Sequence, residues 1–103
     1  MQGYRLSKEA QDDIKEIKNY SRMAWGNKQT QDYLSEIKNS LEKLVISPGL
    51  GKRRDEIIDG LRSFGVGRHI IFYRLGKTEI EVSRILHNRM DVVRHFDNIY
   101  FSG

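Results

Sequence analysis

The stretch Gly60–Asp91, GLRSFGVGRHIIFYRLGKTEIEVSRILHNRMD, decides the fold. It holds three short apolar runs, Leu61–Val66, His69–Leu75 and Ile80–Leu86. Gly65 and Gly67 separate the first two, and Gly76-Lys77-Thr78 separates the last two. Runs this short, rich in Ile, Val, Phe and Tyr and bounded by glycine, predict a β-meander. In the middle run Ile70, Phe72 and Arg74 share one face, and Ile71, Tyr73 and Leu75 the other. Both faces are apolar, which predicts a central strand covered on both sides. Ile80, Val82, Arg84 and Leu86 are expected on one face of the third run. Connecting loops of two or three residues both fit, so the register stays open at this point.

Outward from the meander, the N-terminal half reads as helical. Tyr4 and Leu6 alternate as in a short strand, and Ser7 is an N-cap for a helix carrying Ala10, Ile14, Ile17 and Ala24. Glu9, Asp12 and Asp13 fall in its first turns, where the helix dipole favours acids. Gly26 reads as its stop, Asn27 as the cap of a second helix, and Ser47-Pro48-Gly49 as the end of that helix. Leu34, Ile37, Leu41 and Leu44 form its stripe, widened by Tyr33 and Val45. Two amphipathic helices joined by a tight turn make a hairpin that needs a sheet to cover. After the meander, Asn88 and Asp91 are placed to cap a short last helix with Met90, Val93 and Phe96 on one side. The expected class is α+β: a short N-terminal strand, a helical hairpin on an antiparallel sheet, and a short C-terminal helix.

Length and composition bound the rest. At 103 residues, 38% apolar and 31% charged, residues 1–103 read as one domain with a core of its own. Cysteine is absent, which excludes disulfides and thiolate metal sites. No apolar run nears the ~18 residues of a membrane span, and early charges exclude a signal-peptide core, so a cytoplasmic protein is expected. The formal charge is +4, with lysines prevailing before Pro48 and arginines after it. Arginine is the better fork for carboxylate or phosphate, which points to the second half as the contact surface.

Candidate chemistry is sparse. His69, His87 and His95 have no metal-binding spacing, so neither metal nor cofactor is expected. His87, near Arg84 and Arg89, fits either a general acid–base group or, more plainly, a ring packed at a strand end. Arg62, Arg68, Arg74 and Arg84 are expected to converge on one concave surface able to bind phosphate or carboxylate. The plain alternative has each pairing with Glu79, Glu81 or Asp91. Lys52-Arg53-Arg54, followed by Asp55-Glu56, reads as a solvated loop with internal pairing, with a phosphate contact as the sharper alternative. Trp25 is expected to be buried at a helix end. Ile99, Tyr100 and Phe101 make an apolar tail.

In this order, YRLSKEAQDDIKEI, Trp25-Gly26, SPGLGKR, GLRSF, HIIFYR and RILHNRMD resemble the RelE/ParE toxin superfamily, and its ParE branch in particular. The resemblance spans about Tyr4 to His95. It implies the toxin of a type II toxin–antitoxin pair, one that poisons DNA gyrase by stabilising its cleaved DNA complex. It also implies a ParD-type antitoxin that wraps the toxin, with DNA reached only through antitoxin or gyrase, and no membrane partner. The RelE branch cuts messenger RNA in the ribosome; HNRMDVVRHFDNIYF carries no convincing set for that, although Tyr73, His87 and the strand arginines imitate one, which keeps a ribosome-dependent messenger RNA endonuclease as the alternative. The chain is therefore expected to have no catalytic residue. Gyrase contacts are expected at Arg62, Arg68, Arg74, Arg84, His87, Arg89, Tyr100 and Phe101. Antitoxin contacts are expected at Tyr4, Leu6, Ile37, Leu41, Leu44, Arg62 and Arg74.

Overall fold

The computed structural model describes residues 1–90, 95 and 96. Strand β1 (Gly3–Leu6) leads into helix α1 (Lys8–Trp25) and helix α2 (Asn27–Ile46). A single 3-10 turn (Pro48–Leu50) precedes β2 (Lys52–Arg53), and the meander follows as β3 (Arg62–Val66), β4 (His69–Leu75) and β5 (Glu79–His87). The sheet order is β1-β5-β4-β3-β2. The meander is antiparallel, but β1 pairs parallel with β5, so the sheet is mixed. No helix among the described residues is long and apolar enough to cross a membrane.

The helix boundaries follow local chemistry. Ser7 caps α1, its hydroxyl accepting the Ala10 N–H, and also donates to the Ser83 carbonyl of β5. Gly26 breaks the hairpin with φ +86°, a value side chains disfavour. Asn27 is not the cap of α2, because the helix already begins there; its side chain instead accepts from Arg22 Nε.

Two cores cover the sheet. On the helix side, Ala10 and Ile17 of α1 and Ile37, Leu41 and Leu44 of α2 meet Val66, Ile71, Tyr73, Ile80, Val82 and Ile85. On the other side, Leu61, Phe72, Leu86 and Phe96 pack together under Ile57, Ile58 and Ile70. Strand β4 is thus covered on both faces, as its two apolar faces require. Phe96 is buried edge-on against Phe72, 5.2 Å between ring centres. Asn88 and Arg89 form a turn closed by the Met90 N–H on the His87 carbonyl. Asp91, Val93 and Arg94, expected in the last helix, lie outside the described residues, as does the tail with Ile99, Tyr100 and Phe101.

One expectation about faces is overturned. Phe72 pairs with Arg84, but Tyr73 pairs with Val82, leaving Ser83 as an extra residue in β5. This bulge resets the alternation. Ile80, Val82 and Ile85 therefore face the helices, whereas Leu86 faces the opposite core.

Candidate functional site

The four strand arginines do not converge. Arg84 turns onto α1, where its Nε and one terminal nitrogen donate to the two Asp13 oxygens at 2.9 Å. Asp13 also accepts the Ile85 N–H at 2.9 Å. The cause is topological: β1 pairs only as far as Val82, so beyond it α1 must satisfy the open edge of β5. Arg62 is half-buried and donates to the Gly49 and Gly51 carbonyls of the 3-10 turn. Arg74 is exposed and follows the alternation of Ile70 and Phe72, on the face away from the helices. Arg68, in the β3–β4 turn, has no ion pair among the described residues either, and it lies over the Trp25 ring of α1.

Three of the residues expected to meet the antitoxin are buried in the structure. Ile37, Leu41 and Leu44 are at most 2% exposed, spent on the chain's own core. Tyr4 and Leu6 are half-buried against the same core. The basic triplet follows the plain reading: Arg53 pairs with Asp55 at 2.8 Å and Arg54 with Glu56 at 2.6 Å, although Lys52-Arg53 is a short edge strand and not loop. Tyr73 is unavailable for chemistry. It is fully buried, its hydroxyl donates to the Pro48 carbonyl and accepts the Gly51 N–H, both at 2.8 Å, and burial raises its pKa. Gly51 is required there because a Cβ would collide with the Tyr73 ring.

What the fold does assemble is a cavity of about 550 Å³ between α1, α2 and the end of the sheet. Helix α1 contributes Ile17, Tyr20 and Trp25, and α2 contributes Tyr33. The β3–β4 turn contributes Arg68 and His69; Ile85, His87 and Met90 close the wall. The turn is a two-residue one, Gly67-Arg68, with Gly67 at φ +55°, as a type II′ turn needs at its first position. A Cβ on Gly67 would collide with the Tyr33 ring.

Tyr33 pins this turn. Its hydroxyl accepts the Arg68 N–H at 3.1 Å and lies within hydrogen-bond reach of the Val66 carbonyl and of His69 Nδ1. Burial raises its pKa, so it keeps its single proton. The single hydroxyl proton serves either Nδ1 or the Val66 carbonyl, and the tautomer of His69 sets which of the two receives it. Burial lowers the His69 pKa, helped by neighbouring His87, and Asp13 opposes them only in part. His87 packs edge-on to His69, 5.3 Å between centres, and its Nδ1 accepts the Arg89 N–H. That is the packed-ring arrangement, with no acidic group hydrogen-bonded to the ring among the described residues. The Asn88 N–H donates to the Arg68 carbonyl, tying the end of β5 to the same turn.

At the rim, Trp25 is 38% exposed and not buried as expected. Arg68 lies over its ring, 5.5 Å from the centre, and Tyr20 meets it edge-on at 6.0 Å. Exposed Arg89 adjoins His87 and Met90 at the same end. Of the expected target contacts the fold brings Arg68, His87 and Arg89 together here, and leaves Arg62, Arg74 and Arg84 elsewhere. Sequence reasoning missed Tyr20, Tyr33, Trp25 and Met90 as members. The only signal was that aromatic residues stood near glycine-marked helix and hairpin ends.

Residues 4–92 match the family described as "ParE toxin of type II toxin-antitoxin system, parDE". The chain is 36% identical over 95 residues to Toxin ParE1 of Caulobacter vibrioides, covering 92% of this chain and 98% of that one. It is 39% identical over 93 residues to Toxin ParE1 of Mycobacterium tuberculosis, covering 89% and 95%. The fold is similar to a solved chain described as "Chromosomal ParDE TA system from P. aeruginosa", with TM-score 0.73 and 19% identity over 84% of this chain and 96% of that one.

Proposed function

The chain belongs to the ParE toxin family of type II toxin–antitoxin systems, and from that premise we propose that it poisons DNA gyrase as a binding protein without catalysis of its own. The reading holds that it stabilises gyrase's cleaved complex with DNA and is neutralised by a ParD-type antitoxin. The observation that carries it is the formed binding surface at the Trp25–Arg68 rim, beside candidate catalytic side chains that, among the described residues, are engaged elsewhere. The Trp25–Arg68 rim has the aromatic, methionine and arginine composition that protein interfaces favour. The side chain best placed by sequence to serve a nuclease, Tyr73, is buried with both hydrogen-bonding directions occupied. Arg62 and Arg84, which would have accompanied it, are engaged by backbone carbonyls and by Asp13.

The test pairs two assays on antitoxin-free protein. One follows gyrase-dependent breaks in plasmid DNA, and the other follows messenger RNA in a reconstituted translation reaction. Breaks that need gyrase, with intact message, are expected. Cut message with unaffected gyrase would place the chain's activity on the ribosome and refute the proposal.

A further inference from the structure

Helix α1 carries a raised apolar flank beside a hollow. Tyr20 is 67% and Met23 89% exposed, one helical turn apart, and Met90 is 41% exposed across the opening. Next to them lies the groove, with Ile17, Tyr33, His69 and Ile85 as its floor. Patches of this kind mark places where another protein sits. A small ligand inside the groove would leave Met23 in water, so the occupant must also cover α1.

Charge says which protein fits. Arg68 and Arg89 have no ion pair among the described residues, and the Trp25 ring holds Arg68 without consuming its N–H donors. At the other end Asp13 is neutralised by Arg84, leaving Glu16 as the unpaired carboxylate of the α1 wall. Glu16 and Trp25 are separated by roughly 13 Å of helix. The face is therefore basic at one end, acidic at the other and apolar between. Tyr20 stands near the midpoint of Glu16 and Trp25 along α1. A twofold axis there lays two α1 helices antiparallel and carries each acidic end to the other copy's basic end. It also brings the raised flank of each copy over the hollow of the other. Such self-complementarity is what an isologous contact requires. A partner of a single charge sign would leave one end unmatched.

We propose that, without a partner protein, this face pairs with a second copy of the chain, forming a twofold dimer. Glu16 of each copy meets Arg68 of the other, and Tyr20 and Met23 close over the opposite groove. Tyr33 is a positioning residue: it holds the Gly67-Arg68 turn and so fixes where the guanidinium stands.

The test is sedimentation of antitoxin-free protein from about 1 µM to about 500 µM, read as mass. The unaltered chain is expected to pass from one to two copies within that range. Arg68→Glu and Glu16→Arg should each weaken self-association about tenfold or more, because symmetry repeats every repulsion. Both side chains are exposed, so neither change reaches the core. The double variant, which swaps the charges within one chain, should restore association, and misfolding could not do so. Met23→Lys should weaken it, and Lys77→Glu in the β4–β5 turn should leave it unchanged. A monomer at every concentration overturns the proposal and leaves the face to a different protein or a small ligand. So does association undiminished in the single variants, or a double variant no tighter than either single one. The readout is mass alone, so the result stands whether or not the chain poisons gyrase.

Discussion

Arg84 and Arg68 come from the same meander, sixteen residues apart by number, and meet opposite fates. Arg84 sits on the Asp13 carboxylate with two 2.9 Å bonds, its side chain 17% exposed. Arg68 lies on the Trp25 ring in water, with no carboxylate paired to it among the described residues. An arginine given an acid becomes part of the framework. One given an aromatic face is held in place while its donors stay free. What selects between them is the element opposite, and that is decided by chain topology. The parallel strand β1 stops at Leu6, and α1 then carries Asp13 over the uncovered edge of β5.

The sharpest way to break this comparison is to remove the acid. Asp13→Ala strips the partner from a largely buried guanidinium and from the Ile85 N–H, and should cost about 3–5 kcal/mol by urea denaturation. Arg68→Ala should change stability by no more than about 0.5 kcal/mol. Equal losses would erase the distinction between the two arginines. Replacing the pair together, Asp13→Leu with Arg84→Met, should recover much of the loss but not all, because the Ile85 N–H stays unpaired at about 1–3 kcal/mol.

Tyr73→Phe comes next. It leaves the Gly51 N–H and Pro48 carbonyl without their shared partner, at about 1–3 kcal/mol, in the same denaturation experiment. It should leave toxicity per folded molecule unchanged; a selective loss of messenger RNA cleavage would instead give Tyr73 a catalytic role. Gly67→Ala is expected to cost about 1–2 kcal/mol, from the positive φ and the Tyr33 ring behind it. It also tests whether Arg68 must be pinned. Self-association should fall with Gly67→Ala even where the protein remains fully folded at the assay temperature.

The three apolar runs, the Ser7 cap and the Gly26 break were legible because each depends on neighbours within a few residues. The expected convergence of the strand arginines failed for the converse reason. Asp13 reads as an ordinary first-turn acid, and nothing near it announces a partner 71 residues away. The Ser83 bulge was equally hidden, because alternation along a strand says nothing of where the partner strand slips. That slip sent Leu86 to the second core and let Ile85 face the helices. The helical stripe Ile37, Leu41 and Leu44 was legible as apolar, yet periodicity does not distinguish a face buried in the chain's own core from one offered to a partner. The cavity had no signature beyond aromatic residues near glycine-marked ends, since its walls come from positions 13 to 90 and only folding brings them together.

The smallest expected effect concerns the groove's neutral floor. Burial holds the His69 pKa below its ordinary value of 6.5, so the unfolded chain binds this proton more readily than the folded one. The associated stability is fully present above about pH 6.5 and declines as pH falls below it. Asp55, held down by the Gly60 N–H and by Arg53, and Glu56, held down chiefly by Arg54, act in the same direction. Their ordinary values are 3.8 and 4.5, so they enter only in stronger acid. Urea midpoints at about pH 7.5 and about pH 5.5 therefore isolate the imidazole. The unaltered protein should lose stability between them, and His69→Gln should lose much less. If His69→Gln keeps the full slope, the proton is taken up elsewhere, and the Tyr33–His69 contact would be a fixture of the turn with no titrating part.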